Sequence, residues 1–444
     1  MGVVARKDQR RLGGRFAVLW WARTISFSGD VLAQVALVVL AARQPNAAMA
    51  VSLLLLAQTV PWLLGPLAGI VADRTGLRRL MLACELGQGL LVAAIALTGP
   101  SFAVTLALVA GMTLLATIFS PAGKSALPAL VPAEQLGNAN ALLRLGANVS
   151  RVAGPAIAGL LLAAAFGLPL VLLLDALSFA LSTLLLSRLP PLAPTPDARG
   201  PKPAGIAISL RDGLRYLLRH PIARAVTLAL FLVTIFVALD NVGLVFLAER
   251  TLAGGPAGFG LALTGYGLGM VVAPLVLLRL KARMSPAPIL LAGIAIMGLG
   301  TALCGLAPSL GAAVALQGVV GIGNGFENVA TDTLLQAGIA RELLGRIFGV
   351  AYAVPYAALL ITYPAGGALL ALTSARVVFV VAGVGTLAAG IVTAAMLPRR
   401  PAPAERRGEA GLATTGRGGE RMAEGAGTQN AEVAEGHGGR REGS

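Results

Sequence analysis

Among the acidic residues that interrupt long apolar stretches of the sequence, four are predicted proton-coupling groups: Asp30, Asp240, Glu327 and Glu85, in decreasing order of preference. A charged side chain in such a stretch is costly and is therefore a functional candidate by default. Removal from water disfavours the charged form of a carboxyl group, which lets it bind and release protons near neutral pH. A structural ion pair is the alternative, such as Arg23 with Asp30 two helical turns away.

Polar and aromatic side chains recur in the same stretches and could line a ligand cavity. Cavities that bind small molecules combine an apolar wall with a few polar groups. The alternative for the aromatic residues is packing, or anchoring at a membrane interface. The predicted cavity residues are Arg23, Gln34, Gln88, Asn241, Gln317, Asn324, Tyr352 and Tyr356, and Trp62, Phe231, Phe236, Tyr266 and Tyr363 are further candidates for an apolar lining.

Signatures of catalysis are missing from the sequence. It has no phosphate-binding G-x-x-x-x-G-K-[ST] loop and no nucleophile elbow, and its two cysteines and two histidines are scattered. We therefore expect no enzyme activity, no metal site and no cofactor.

The composition is that of a protein that crosses a membrane many times. Of the 444 residues 56% are hydrophobic and only 12% charged, and the mean hydropathy is +0.81. A span needs about 20 apolar residues, and twelve such runs occur. The first run lacks a cleavage site and is predicted to be retained. The predicted spans are residues 15–42, 50–71, 79–99, 102–120, 140–165, 168–188, 222–248, 258–280, 286–307, 309–332, 345–371 and 376–397.

The distribution of basic residues predicts the orientation. With both termini in the cytoplasm, most of the 35 Lys and Arg residues lie on the cytoplasmic side, and only Arg43, Arg250 and Arg376 lie on the other. The net charge of +15 is thus explained by membrane topology and does not indicate a nucleic-acid partner. We predict a multi-pass protein of the bacterial cell (inner, cytoplasmic) membrane.

The two halves of the chain resemble each other. Thr24 aligns with Thr234, and Pro155 with Pro364, at offsets close to 210 residues. Such duplication is typical of transporters that move two halves around a central site. We predict two six-helix halves, residues 1–189 and 222–397, in a monomer. A cytoplasmic linker with an amphipathic helix (190–221) joins them, and a disordered cytoplasmic tail (398–444) follows.

The loop after the second span carries a recognisable motif, G-I-V-A-D-R-T-G-L-R-R. It resembles the cytoplasmic signature of the major facilitator superfamily, with Leu77 where a basic residue is usual. The resemblance implies a conformational latch made of ion pairs between the halves; the alternative is an ordinary basic loop on the cytoplasmic side. The latch residues are Gly69, Asp73, Arg74, Gly76, Arg78 and Arg79.

The fifth span contains S-R-V-A-G-P-A-I-A-G, which resembles the antiporter motif of that superfamily. Small residues allow close helix packing, and proline bends a helix. The motif residues are Ser150, Arg151, Gly154, Pro155 and Gly159. A seal that favours export is the functional interpretation, and a kinked, tightly packed helix is the structural one.

Three further segments resemble the branch of this superfamily that includes the enterobactin exporter and the macrolide and multidrug efflux proteins. They are residues 120–143, the pair Gly29-Asp30, and the run L-D-A-L-S-F from Leu174 to Phe179. The resemblance implies an all-α fold of twelve transmembrane helices and proton-driven export of lipophilic drugs or siderophore-like molecules. The fourth span lacks the arginine of many proton antiporters.

Two alternatives stay open at this point. The first is a proton-linked importer of a small organic nutrient. The second, from another class, is a non-transporting receptor or enzyme built on a transporter scaffold, although the sequence shows neither a catalytic constellation nor a folded domain outside the membrane.

Overall fold

The computed structural model describes residues 13–164, 167–192, 215, 219–279, 285–338 and 341–397, without the side chains of 66, 73, 133, 337, 338 and 341–353. Most of the predicted linker and the whole predicted tail lie outside the described residues. Within the described ranges the chain forms thirteen α-helices and no strand. The helices are α1 (Gly14–Ala42), α2 (Ala47–Thr59), α3 (Gly65–Arg74), α4 (Leu77–Thr98), α5 (Phe102–Leu130), α6 (Leu136–Ala163), α7 (Gly167–Leu186), α8 (Pro221–Phe246), α9 (Gly255–Arg279), α10 (Pro286–Gly305), α11 (Leu310–Gly338), α12 (Arg341–Leu372) and α13 (Ala375–Met396).

Each of the twelve predicted spans coincides with a long helical segment. Eleven of these segments are long and apolar enough to cross a membrane; the other is the more polar α11. The second span divides into α2 and α3 because Pro61 and Pro66 interrupt regular helical hydrogen bonding, leaving a 3₁₀ turn at Val60–Leu64. The fourth span ends at Leu130, ten residues later than predicted, because α5 accommodates Pro121 and Pro128.

Helices pack mainly with partners from the same half of the chain. In the first half α1 contacts α6 and α7, and α4 contacts α5 and α7; in the second half α8 contacts α13 and α12, and α11 contacts α9 and α10. The most extensive contacts between the halves are those of α6 with α9 and of α2 with α12. Because these contacts tie the helices into one compact unit, the predicted boundary between the halves stays a prediction.

The junction of α6 and α9 depends on glycine. A Cβ atom added to Gly260 would lie 2.1 Å from the carbonyl oxygen of Pro155, and one added to Gly159 would lie 2.7 Å from that of Pro256. Only residues without a side chain let two backbones approach this closely. The antiporter-type motif of the fifth span, which lies in α6, is therefore at the contact between the halves.

The apolar core is shared at one end of the bundle and divided at the other. We call the end at which Gly13 and Leu397 lie the termini end. At the opposite end, one cluster combines both halves, including Val39 and Leu54 with Val245 and Phe379. At the termini end, the clusters around Met81 and around Ile294 each draw on one half alone. Within the described residues the halves thus meet away from the termini end.

The α6–α9 contact predicts a specific sensitivity to volume. In Gly260→Ala the new methyl group collides with backbone, which we expect to lower stability by about 1–3 kcal/mol. The measurement is the thermal unfolding midpoint of the purified protein in detergent. Gly311→Ala is the matched control, because its added Cβ has no atom within 4 Å; equal midpoints for the two variants would contradict the proposed packing constraint.

Candidate functional site

A polar cavity of about 260 Å³ lies in the first half of the bundle, and we call it the N-side cavity. Helices α1, α2, α4 and α7 supply its acidic and amide groups, while α5 supplies mostly apolar wall. Asp30, a predicted proton-coupling residue, and Gln34 and Gln88, predicted cavity residues, all line it. The polar and aromatic lining residues are Asp30, Gln34, Gln58, Trp62, Gln88, Thr113 and Asp175.

A larger cavity of about 510 Å³, the C-side cavity, lies in the second half. Its wall is contributed by α8, α9, α11 and α12. Glu327 and the predicted Asn241, Asn324 and Tyr356 all line it. The polar and aromatic lining residues are Thr234, Asn241, Tyr266, Asn324, Glu327, Asn328, Tyr356 and Tyr363.

The two cavities meet at a pair of aromatic rings. Trp62 of the N-side cavity and Tyr356 of the C-side cavity stack with their ring centroids 6.5 Å apart and an angle of 22° between the planes. Both side chains are 36% exposed, so their remaining faces are free for a ligand. Offset-stacked aromatic rings favour planar or lipophilic ligands. This pair of rings joins the halves where a ligand could touch both.

Asp240 and Glu327 are both buried, but their surroundings differ. The Gln317 amide donates to both carboxyl oxygens of Asp240, each at 3.1 Å, so these two residues form a hydrogen-bonded pair beside the cavity rather than part of its lining. Glu327 lies in the cavity wall, beside the hydrogen-bonded amides of Asn324 and Asn328 (2.8 Å). Of the two, Glu327 is the one that a ligand in the C-side cavity would meet.

Arg23 and Glu85 lie toward the termini end of the first half. The Ser26 hydroxyl donates to the Glu85 carboxyl at 3.3 Å, and Glu85 is 1% exposed. The Arg23 guanidinium lies 4.6 Å from the centre of the Phe119 ring and interacts electrostatically with Glu85 and Asp30. Neither Glu85 nor Arg23, a predicted cavity residue, lines the N-side cavity, and the ion pair of Arg23 with Asp30 stays a prediction.

The antiporter-type motif of the fifth span positions α6 against α1 as well as against α9. The hydroxyls of Ser150 and Ser28 are 2.7 Å apart, and a Cβ on Gly154 would lie 2.6 Å from Val31. Arg151 is exposed, with its guanidinium over the Phe27 ring. These contacts agree with the structural interpretation of the motif; its role in the direction of transport stays a prediction.

The structure describes only some of the side chains of the predicted latch. The Arg78 guanidinium donates to the carbonyl oxygen of Ser187 in the same half, while Arg74 and Arg79 are exposed. The side chains of Asp73 and of the cavity candidate Tyr352 lie outside the described residues. The latch between the halves therefore stays a prediction.

Sequence reasoning missed several polar lining residues, among them Asp175 and Gln58. Asp175 interrupts a run of leucines as clearly as Asp30 interrupts its own helix, so the cost of a charge in an apolar helix could have identified it. Gln58 precedes the proline break between α2 and α3, and only the bend of the chain places it at the cavity.

Residues 13–409 match the model of the transmembrane secretion effector family, a family of major facilitator transporters. The chain belongs to this family. Its family and its relatives are transporters, which excludes the enzyme alternative.

Bacterial transporters are among the proteins that resemble this chain in sequence. The MFS-type transporter YfiS of Bacillus subtilis (strain 168) is 27% identical over 84% of this chain and 90% of its own length. The multidrug efflux pump Tap of Mycobacterium tuberculosis (strain H37Rv) is 26% identical over 78% of this chain and 84% of its own. The Tap protein of Mycolicibacterium fortuitum is 24% identical.

Solved structures with the same fold are also transporters. A variant of the nucleoside transporter NupG superposes with a TM-score of 0.71 at 11% identity, covering 87% of this chain and all of its own. A bacterial homologue of the iron transporter ferroportin, in an inward-facing state, has a TM-score of 0.68 at 16% identity, covering 87% of this chain and 99% of its own. These similarities confirm the predicted all-α membrane transporter fold.

The Asp240–Gln317 pair makes a testable prediction about stability. Gln317→Met leaves the buried Asp240 carboxyl without its donor, which we expect to cost about 1–3 kcal/mol. The double variant Asp240→Leu with Gln317→Met removes both polar groups and should recover most of the lost stability. Thermal unfolding of the purified variants measures both effects, and a double variant as unstable as the single one would show that the amide does not support the carboxyl.

Proposed function

We propose that this transporter exports lipophilic organic molecules, siderophore-like compounds among them, in exchange for protons. The observation that carries the proposal is the junction of two polar cavities at Trp62 and Tyr356, each with a carboxyl group in its wall, Asp30 on one side and Glu327 on the other. The aromatic pair suits a lipophilic ligand, and the carboxyl groups suit proton exchange.

Sequence similarity supports export over import. The multidrug efflux pump Tap of Mycobacterium tuberculosis resembles this chain over most of both lengths. The small-residue contact of α6 with α9, where Gly260 faces the Pro155 carbonyl, supports a tight seal between the halves as the antiporter motif implies. A proton-linked importer of a nutrient stays as the alternative function.

We place both termini in the cytoplasm, following the distribution of basic residues, and the protein in the bacterial inner membrane. The termini end of the bundle, where the described cores of the halves are separate, then faces the cytoplasm. The shared core closes the periplasmic end. This arrangement is the conformer into which a cytoplasmic substrate would enter.

The proposed cycle links protonation to substrate release. A substrate enters between the halves and touches Trp62 and Tyr356, with Gln34, Gln88 and Asn241 supplying polar contacts. After the halves rock to the other side, protons from outside neutralise Asp30, in the wall of the N-side cavity, or Asp240, which lies beside the C-side cavity with Gln317. Either protonation weakens substrate binding. Return of the empty transporter releases the protons to the cytoplasm, and the pairs of Asp73 with nearby arginines bias which side is open.

The proton gradient is the proposed energy source, with no cofactor. One chain carries both halves, so we propose a monomer in the lipid bilayer, with no nucleic-acid partner.

Proton-coupled export predicts a signal in inverted membrane vesicles. The vesicles contain the protein and a pH-sensitive dye, are given an acidic interior, and receive lipophilic cations, macrolides and siderophores in turn. We expect at least one compound to trigger proton efflux. Asp30→Asn and Asp240→Asn should each abolish the effect, because an amide cannot carry a proton at this pH.

Glu134→Gln is the control for this experiment, since Glu134 is exposed and distant in sequence from both cavities. Proton efflux that is unchanged when Asp30 and Asp240 are both replaced by alanine would refute their assignment. Silence across the panel, together with uptake of a nutrient by intact cells, would favour the importer.

A further inference from the structure

Asp175 is a buried acidic residue that the proposed cycle leaves unused. It lies in the middle of α7, an otherwise apolar helix, and is 0% exposed. The Ser178 hydroxyl donates to its Oδ1 atom at 3.3 Å, whereas its Oδ2 atom is buried without a hydrogen-bond partner. A buried carboxylate with an unpaired oxygen is costly, and a bound proton removes the charge.

Gly29 brings this carboxyl group up to α1. A Cβ atom on Gly29 would lie 2.4 Å from Oδ1 of Asp175 and 2.1 Å from the Ser178 hydroxyl, so no larger residue fits there without a shift. Asp30 is the next residue along α1, and both aspartates line the N-side cavity. The glycine thus places Asp175 at the same cavity wall as Asp30.

Among the charged side chains near Asp175, acidic residues outnumber basic ones. From the helices packed against α7, α1 contributes Arg23 and Asp30 and α4 contributes Glu85, while the arginines of α6 are exposed. Asp175 interacts electrostatically with Asp30 and with Glu85. Arg23 interacts electrostatically with Glu85 and Asp30, so the charged side chains that act on Asp175 itself are both acidic.

This imbalance of charge favours bound protons over other ways of neutralising the cluster. Carboxyl groups that share a site cannot all be ionised at low cost. The described residues include no group of three or more side chains arranged to hold a metal ion.

We propose that Asp175 is a second proton-binding group of the N-side cavity, coupled to Asp30 so that a proton on one favours the ionised form of the other. The proton comes from cavity water and leaves the carboxyl group neutral. Asp30 is partly exposed at the cavity wall. Asp175 is fully buried in the same wall next to Gly29, and its carboxyl group is either ionised or protonated. The role in transport rests on the proposed proton antiport, whereas proton binding by itself does not.

Infrared spectroscopy of the protein in lipid bilayers, titrated with pH, tests proton binding without a substrate. Protonated carboxyl groups have a C=O stretching band that ionised groups lack. We expect Asp175→Asn to remove one component of this band and to shift the titration of the component that Asp30→Asn removes. Asparagine keeps the shape of aspartate and an oxygen for Ser178, so the fold should survive; Glu134→Gln should leave the band unchanged.

Wild-type protein supplies a second measurement that needs no change at Asp175. Carbon-13 labelling of aspartate side chains separates their band from that of glutamate, and Ser178→Ala, which removes the hydrogen bond to Oδ1, should shift one aspartate component. An aspartate band that is identical in wild type, Asp175→Asn and Ser178→Ala would overturn the proposal.

Transport in inverted vesicles then tests coupling. With any compound that drives proton efflux through the wild type, Asp175→Asn should slow efflux about tenfold or more, while exchange of that compound without a gradient continues. Unchanged efflux in this variant would overturn the coupling role. A wild type that shows the infrared band but responds to no compound would refute the proposed antiport and leave Asp175 a proton-binding residue.

Discussion

The cost of holding charge away from water is the constraint on which this structure depends. An unpaired charge in an apolar bundle is expensive, and each buried acid meets that cost differently. Asp240 accepts two hydrogen bonds from Gln317, and Glu85 accepts one from Ser26 and interacts with Arg23. Asp175 has one hydrogen bond and one unpaired oxygen. Glu85 also has one unpaired oxygen, but it has Arg23 nearby, whereas the charged side chains that act on Asp175 are both acidic.

Glycine imposes a second constraint on the structure, because its positions determine where helices can pack closely. At Gly260 two backbones from different halves meet, and at Gly29 a backbone meets a carboxyl group and a hydroxyl. The first contact holds the halves together away from the termini end; the second places an acid at a cavity wall. Close packing and the chemistry of the site thus rest on the same kind of residue.

Both cavities combine amide, carboxyl and aromatic groups, and they meet at one aromatic stack between the halves. A ligand at this junction touches both halves, so its binding energy can depend on how the halves are arranged. That dependence is the physical requirement for alternating access, since only differential binding shifts a conformational equilibrium. The family and the named relatives establish transport, and the junction indicates where a transported molecule would bind.

The sequence by itself determined the twelve helical segments and the membrane class, because the length and apolar character of a span are local properties of the chain. It also identified most polar lining residues, from Asp30 to Tyr356, since an isolated polar group in an apolar run is visible without a structure. Only the tertiary structure separated Glu327, in a cavity wall, from Asp240 and Gln317, which face each other beside it. It alone brought Gln58 to a cavity and Asp175 next to Gly29. Such pairings join residues far apart in the chain, and their distances depend on how helices pack, which no single stretch of sequence specifies.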